Sequence, residues 1–293
     1  MGKAILALPD WLQADPDFAT IAYSGGSWVL PASNVGDPFL ATIARSTDLD
    51  PASTQMDIDL GRRRSVKVVA IPDHTISRAG KIRLRAATDA AFTDVLDDTG
   101  WVDVWPIVDP WDTREWLSDT FWDGKITDEE AATYKIGWVH VTAQTIYPQF
   151  LRLEIDDQTN PAGVIDLARL IAAPGWQVGA GPGEGVSWPV DFGIEDNSPK
   201  QVSLGNVQYS EKRPIRRRVR FTADFLREDE TFAKAFEALR RMGETDSLYF
   251  VFDPDDAIHG HRRSFLATLA RLGDVRMTRG RYGQVRIELL ETL

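Results

Sequence analysis

Short segments that alternate apolar with polar residues dominate the first part of the chain. Residues 56–60 and 81–86 alternate apolar with charged side chains, and residues 66–71 are almost wholly apolar. Successive side chains of a β-strand point to opposite faces, so this pattern predicts three strands that each bury one face. Turn residues separate the segments. The stretch Met56–Asp89 therefore predicts an antiparallel β-sandwich, and it contains no group of residues typical of catalysis.

Further strand patterns continue to about residue 172. They predict strands at Trp28–Leu30, Trp138–Thr142, Phe150–Ile155 and Val164–Ile171. A passage rich in glycine and proline follows, and such a composition is typical of a flexible linker. We therefore expect a first domain over residues 1–172, a linker over 173–185 and a second domain over 186–293.

The second domain has a different pattern, in which one amphipathic helix interrupts the strands. The helix is predicted at Glu228–Met242, with Phe232, Phe236 and Leu239 on one face and Gly243 as its C-terminal stop. This pattern predicts a β-barrel or sandwich that carries one helix. The predicted strands are Trp188–Ile194, Val202–Tyr209, Arg216–Phe225, Leu248–Phe252, Arg263–Leu272 and Gln284–Leu290.

Composition narrows the classes of function. The 293 residues contain no cysteine, which excludes disulfides, thiolate metal sites and cysteine nucleophiles. A net charge of −11 disfavours a protein that wraps nucleic acid, because such proteins displace counterions with a basic surface. No segment approaches the roughly 20 apolar residues of a membrane helix, and the N-terminal apolar patch is too short for a signal peptide.

One dense basic run, Lys212–Arg220, stands out in this acidic chain. One interpretation is the solvated face of a strand, since Val219, Phe221 and Phe225 would share the opposite, apolar face. A second is a basic surface that meets an acidic neighbouring subunit, and a third is contact with nucleic acid. The candidate interface residues are Arg216, Arg217, Arg218 and Arg220.

Tryptophans concentrate between residues 101 and 138. Sugars stack on exposed aromatic rings, and nearby polar side chains hold their hydroxyls. Tryptophan also fills cores and anchors protein interfaces, and we favour that interpretation. The candidates for contact with a glycan or a protein are Trp105, Trp111, Trp116 and Trp122, with Asp109, Asp112 and Arg114 beside them.

No catalytic constellation emerges from the sequence. A glycosidase needs two carboxyl groups that face each other across a cleft, whereas the adjacent pairs here point to opposite faces of a strand or lie in loops; these pairs are Asp97-Asp98, Glu129-Glu130, Asp156-Asp157 and Asp255-Asp256. The segment Asp253–His261 has metal-binding residue types without zinc or EF-hand spacing. The Gly-rich linker lacks the lysine that follows in a phosphate-binding loop. We therefore assign no catalytic, cofactor-binding or metal-binding residue and expect a protein that is not an enzyme.

Two sets of segments resemble known families. NVGDPFLATIAR, IDLGRRRSVKVVAIPDHTIS, IRLRAATD and FLRLEIDD resemble the discoidin-like, galactose-binding-like jelly roll found near the tail tip of long-tailed phages and prophages. In the second half, VDFGIEDNSPKQVSLGNVQYSEKRPIRRRVRFTADF, ETFAKAFEALRRMG and SLYFVFDP are similar to the ring-forming domain of phage tail tube and distal tail proteins.

The resemblance implies a fold class that is mainly β, with an N-terminal jelly-roll β-sandwich and a C-terminal split β-barrel with one packed helix. It also implies a homohexameric ring in a virion tail, assembled in the cytoplasm of a bacterial host. Its partners would be the tail tube protein, the tail hub and receptor-binding proteins, with no membrane and no specific nucleic acid. Here the jelly roll precedes the ring domain, whereas many distal tail proteins have the reverse order. A distal tail protein and another tail-tip component therefore both stay open, and a carbohydrate-binding module is the alternative function.

Overall fold

The computed structural model describes residues 3–13, 20–127, 129, 136–179, 185–203 and 205–293. These residues are mainly β, with antiparallel sheets and one packed helix, which confirms the predicted fold class. Residues 180–184, within the predicted linker, lie outside the described residues.

The chain divides into two compact units. The N-terminal unit consists of Ile5–Trp176 together with Tyr249–Phe265. The C-terminal unit consists of Gln177–Leu248 and Leu266–Leu293, with the residues before Ile5. The N-terminal unit is therefore discontinuous in sequence, a feature that no sequence pattern indicated.

Short strands build the N-terminal unit, because alternating apolar residues give most of them one buried face. The strands are β1 (Ile5–Ala7), β2 (Ala22–Ser24), β3 (Trp28–Leu30), β4 (Ala44–Ser46), β5 (Met56–Asp59), β6 (Val66–Ile71), β7 (Lys81–Ala87), β8 (Val95–Asp98), β9 (Val102–Asp103), β10 (Trp138–Ile146), β11 (Phe150–Asp156), β12 (Asp166–Leu167), β13 (Ile171–Ala173) and β14 (Gly175–Gln177).

Two of the sheets pack as a sandwich. One contains β2, β5, β11, β7 and β8 in that order, with β9 also paired to β7, and the other contains β10, β6 and β13. In the first sheet Leu153 of β11 lies opposite Met56 of β5 and Leu84 of β7. These side chains join Val69 and Ile71 of the second sheet in one buried cluster. The prediction of three sandwich strands in Met56–Asp89 is confirmed.

The C-terminal unit contains three long strands, β15 (Gly185–Glu195), β18 (Arg216–Arg227) and β22 (Tyr282–Glu291). Its shorter strands are β16 (Lys200–Val202), β17 (Gln208–Ser210), β20 (Phe265–Leu269) and β21 (Val275–Arg279). Strand β19 (Ser247–Val251) belongs mainly to the N-terminal unit. Strand β18 lies between β15 and β22, and both β20 and β21 pair with β22. The buried face of this sheet carries Val219 and Phe221 of β18 and Val285, Ile287 and Leu289 of β22.

One helix, α1, forms from the consecutive helical segments Glu228–Glu230, Thr231–Phe236 and Glu237–Met242, the middle one a π-helix. Gly243 follows with φ +54°, the conformation that favours glycine at a helix end. A second, short helix, α2, spans Gly260–Arg263. Of the described helices, none is long and apolar enough to span a bilayer.

The face that α1 buries differs from the predicted one. Thr231, Ala235 and Met242 are buried, whereas Phe232 and Phe236 are each 46% exposed. The π-helical segment has a wider turn, so residues shift around the helix relative to an ideal α-helical spacing. Thr231 also sits against Gly283 of β22, where any side chain at Gly283 would collide with it.

Three predicted strands were partly wrong. The segment Val202–Tyr209 forms a hairpin between β16 and β17, because Ser203 and Val207 close a turn by a backbone hydrogen bond of 2.9 Å. Val164–Ile171 is divided between β12 and β13. In Arg263–Leu272 the strand is confined to β20, since α2 occupies the beginning.

The alternation of β18 breaks at Phe225. The predicted apolar face holds for Val219, Phe221 and Ala223, but Phe225 is 60% exposed and Leu226 is buried in its place. Phe225 has φ +59°, and the register with β22 shifts between Ala223 and Leu226. This is the behaviour of a β-bulge, which adds one residue and reverses the faces.

A buried ion pair ties together distant parts of the N-terminal unit. Nη2 of Arg169 lies 3.0 Å from Oδ2 of Asp10, and both side chains are almost wholly excluded from solvent. The other carboxylate oxygen accepts the amides of Leu12 at 3.1 Å and Ala172 at 3.2 Å. Arg169 also donates to the carbonyl of Pro38 at 3.3 Å. Burial raises the pKa of Asp10, and the attraction of Arg169 together with these hydrogen bonds opposes that rise.

We predict that Asp10→Asn destabilises the protein by about 3–5 kcal/mol, because it leaves a buried guanidinium without its counter-charge. The matched control is Asp98→Asn, which removes the partner of Arg83 in a pair that water partly screens. Urea unfolding of both variants measures the difference. Equal losses of unfolding free energy in the two variants would show that the buried Asp10–Arg169 pair stabilises the protein no more than an exposed pair does.

Candidate binding site in the tryptophan loop

The segment between β9 and β10 forms a loop whose base is anchored to the sandwich. Arg78 donates to Asp123 at 2.6 Å and to the carbonyl of Lys125 at 3.0 Å. Lys125 in turn donates to Asp103 of β9 at 3.1 Å. Burial acts against ionisation of Asp123, but the hydrogen bonds from Arg78 and from the Lys125 amide keep its pKa below the ordinary value. We call residues 105–125 the tryptophan loop.

A network around Asp109 and Arg114 shapes the interior of the tryptophan loop. Arg114 donates to the carbonyls of Asp109 at 2.8 Å and Phe121 at 3.3 Å. Asp109 accepts the hydroxyl of Thr120 at 2.9 Å. The amide of Asp109 donates to the carbonyl of Gly124 at 3.0 Å, which closes the loop. Asp109 and Arg114, which the sequence suggested as ligand contacts, therefore hold the loop in shape.

Three of the four candidate tryptophans surround one phenylalanine at the surface. Trp111, Trp116 and Trp122 are 71%, 74% and 85% exposed. Their ring centroids lie 6.0, 4.8 and 5.2 Å from that of Phe121, and the last two contacts are edge-to-face. Arg114 stacks over Trp111 at 5.2 Å, within the range of a cation–π interaction. We call these four aromatic residues the aromatic cluster.

Trp105 does not belong to the aromatic cluster. It is half-buried, packs against the core and donates its indole N–H to the carbonyl of Ile76 at 2.9 Å. The sequence pattern predicted the same role for all four tryptophans, because nothing in their spacing distinguishes Trp105 from the others. The structure also adds Leu117 of the tryptophan loop, which is 82% exposed and has φ +66°.

The aromatic cluster can bind a partner but cannot perform acid–base chemistry. Exposed indole rings supply flat apolar area that either a sugar face or an apolar protein surface can cover. Asp112 is exposed beside them and can accept hydrogen bonds. Among the described residues, no group of three acidic or histidine side chains could hold a metal ion.

The basic run on β18 is largely neutralised within the chain. Arg217 pairs with the buried Glu291 on the inner face of the sheet. On the outer face Arg220 lies 2.7 Å from Glu288, and Arg218 lies 3.9 Å from the same carboxylate. Arg216 is exposed. The role of these four arginines at a subunit interface stays a prediction.

Adjacent carboxylates among the described residues have separate partners, and the pair Glu129-Glu130 lies partly outside the described residues. Asp97 lies 2.7 Å from Nε2 of His140, whereas Asp98 pairs with Arg83. Asp157 is buried and accepts the amide of Ser77 at 2.6 Å. Asp256 pairs with Arg263 at 2.8 Å. These carboxylates lie in structural contacts, each with its own partner.

No family model matches the sequence, and no curated protein matches it. Solved structures give weak similarities over about half of the chain. A family 32 carbohydrate-binding module of NanJ from Clostridium perfringens, in complex with galactose, shares 14% identity at a TM-score of 0.33, over 52% of this chain and 91% of that one. A fucose-binding module from Streptococcus pneumoniae shares 12% identity at a TM-score of 0.35, over 57% and 96%.

A third structure is a family 89 glycoside hydrolase from Clostridium perfringens, with 12% identity and a TM-score of 0.35 over 52% of this chain. This chain spans only 14% of that enzyme's length. At such identities and scores the names of these proteins assign no function to this chain, since one fold carries many functions.

We predict that Gly124→Ala destabilises the protein more than Gly163→Ala. Both glycines have φ near +70°, so alanine costs each about 1 kcal/mol of backbone strain. A Cβ at Gly124 would also lie 2.2 Å from Nη2 of Arg114 and 2.4 Å from the carbonyl of Asp109, whereas the space around Gly163 is open.

Thermal unfolding and near-ultraviolet circular dichroism of the tryptophans measure the two variants. Only Gly124→Ala should alter the tryptophan signal, because only it disturbs the network that holds the aromatic cluster. An unchanged signal in Gly124→Ala would mean that this network does not position the rings.

Proposed function

We propose that the chain is a structural subunit of a phage-type tail tip, in which the C-terminal unit joins copies of itself into a ring. The observation that carries the proposal is a set of exposed apolar side chains on one strand and the hairpin after it. In β15, Trp188 is 67% and Ile194 is 74% exposed. Val202 and Tyr209, in the hairpin of β16 and β17, are both 64% exposed.

The position of β15 in its sheet supports this proposal. Among the described strands β15 ends the sheet, so its outer edge has unpaired backbone groups that another strand can pair with. Pro189 in this strand also fits an edge position, because proline cannot donate to a sheet ladder. Exposed large apolar and aromatic side chains beside an open strand edge are typical anchors of a subunit interface.

In the proposed assembly the N-terminal unit supplies the aromatic cluster as a docking surface for other tail-tip proteins. Its clustered indole rings are the kind of anchor that protein interfaces use. The expected partners are the tail tube protein, the hub and receptor-binding proteins, and the expected location is the virion tail. The resemblance of both halves to tail components motivates these partners.

The assembly test compares two substitutions at equally exposed apolar sites. Ile194→Asp should weaken the self-association constant by about tenfold, because it places a charge in the proposed interface. Phe39→Asp, at a 70% exposed residue of the N-terminal unit, should leave self-association unchanged. Sedimentation velocity over a concentration series measures both, and negative-stain images show whether rings form.

Antibody labelling of tails decides the outcome if the purified chain assembles only on its partners. Label at the tail tip supports the proposal. A chain that stays monomeric at its highest soluble concentration and is absent from tail tips would overturn it.

Carbohydrate binding by the N-terminal unit is the second candidate function, and the aromatic cluster favours it. Trp111, Trp116 and Trp122 expose indole rings of the kind on which sugars stack, and Asp112, next to Trp111 in sequence, is exposed and can accept hydrogen bonds. This function does not conflict with a ring formed by the C-terminal unit, because it uses different residues.

A glycan array tests the second candidate. Trp111→Ala and Trp116→Ala should each reduce glycan binding by about tenfold, the loss expected when a stacking ring is removed. Trp101→Ala is the control, since Trp101 is 45% exposed but lies outside the tryptophan loop. A wild-type protein that gives no glycan-dependent signal would exclude this function.

A further inference from the structure

Charge is distributed unequally between the two units. The N-terminal unit contains 29 acidic and 16 basic residues, whereas the C-terminal unit contains 15 acidic and 17 basic residues. The net charge of −11 therefore arises in the N-terminal unit, and the C-terminal unit is slightly basic. A ligand that contacts only the C-terminal unit would therefore meet a weakly positive electrostatic field, whereas the N-terminal unit produces a negative one.

A groove of about 740 Å³ lies on the polar face of the C-terminal sheet. Strands β15, β18, β21 and β22 contribute to its walls, together with the connection from β20 to β21. That connection lies against β22: the amide of Ala270 donates to the carbonyl of Glu288 at 3.0 Å, and a Cβ at Gly273 would lie 2.1 Å from the carbonyl of Arg286. The charged residues of the groove are Asp191, Arg220, Arg271, Asp274, Arg276, Arg286 and Glu288.

One part of this groove has one more carboxylate than it has arginines. Asp191, Arg220 and Glu288 lie opposite one another on three adjacent strands, so an arginine is flanked by two carboxylates. Hydrogen bonding from Arg220 holds the pKa of Glu288 below its ordinary value against the effect of burial, and the charges of Arg218 and Arg286 add to this. Glu288 is thus one carboxylate facing three guanidinium groups.

The other part of the groove has excess positive charge. Arg276 lies opposite Gln284 of β22, and Arg286 lies opposite Thr222 of β18. Within the described chain, no hydrogen bond or ion pair joins Arg271, Arg276 or Arg286 to another side chain. Asp274 is the remaining acidic residue of the described groove lining. Like charges close together on a sheet are unfavourable unless an anion lies between them.

We propose that this arginine groove binds a short, carboxylate-bearing segment of a protein. Guanidinium groups bind carboxylates in a bidentate manner, and three arginines of this lining make no ion pair within the described chain. Gln284 and Thr222 add neutral hydrogen-bonding groups between the arginines. A nucleic acid is disfavoured, because its closely spaced phosphates would meet three carboxylates in the groove lining. The groove shares Pro189 and Asp191 with β15, whereas Arg271, Arg276 and Arg286 lie on the other side of β18 from that strand.

Fluorescence anisotropy with a labelled hexaglutamate peptide and the full-length chain tests the proposal. The variant Arg271→Gln/Arg276→Gln/Arg286→Gln should lower the affinity for the peptide by about tenfold, since it removes the bidentate donors. The control Lys200→Gln/Lys212→Gln/Arg213→Gln removes the same charge from exposed positions of the same unit and should bind like wild type. Replacement of the three arginines by lysine should give an intermediate loss, because charge stays but bidentate geometry does not.

Three results would overturn the proposal: no binding of the peptide to wild type, equal losses in the two glutamine variants, or tighter binding of a thymidine hexanucleotide than of the peptide. Thermal unfolding identifies variants that no longer fold. If the triple variant does not fold, the single variants Arg276→Gln and Arg286→Gln replace it, and each should weaken binding several-fold.

Discussion

The buried contact between Asp10 and Arg169 is the constraint on which the N-terminal unit depends. A carboxylate and a guanidinium withdrawn from water are tolerated only when their geometry and hydrogen bonds compensate for lost solvation. Here the pair brings together the chain near Leu12, the carbonyl of Pro38 and the start of β13. Leu12, Val35 and Ala172 from these segments lie in the sandwich core, so the pair holds three distant parts of the chain against that core.

Sequence patterns predicted the sandwich well because its strands bury one face regularly. β5, β7 and β11 alternate in burial as their residues alternate in polarity. The predicted burial of side chains was wrong where a local backbone conformation, and not the polarity pattern, decides which face a residue occupies. The bulge at Phe225 exposes an aromatic residue that the alternation would bury. The π-helical segment of α1 likewise turns Phe232 and Phe236 outward. Neither feature follows from hydrophobic spacing, since both depend on the strand or sheet packed alongside.

The candidate sites could likewise be predicted only in part from the sequence. The richness in tryptophan was visible in the sequence, but the difference between Trp105 and the exposed rings depends on which of them reaches the core. The basic run was also visible, although its charges meet Glu288 and Glu291 across the sheet. Arginines that make no ion pair within the described chain occur instead at scattered positions, Arg271, Arg276 and Arg286, which the fold brings to one groove.

The discontinuity of the N-terminal unit has a consequence for the order of events during synthesis. Residues 5–176 emerge from the ribosome well before Tyr249–Phe265, yet β1 pairs with β19 in the completed unit. Until residue 251 has been synthesised, the backbone of β1 lacks this partner. The side chains of Phe250, Phe252 and Phe265, which are buried in the completed fold, are then also missing. Most of the second unit must therefore be translated before the first can close, so the two halves mature together instead of folding in succession.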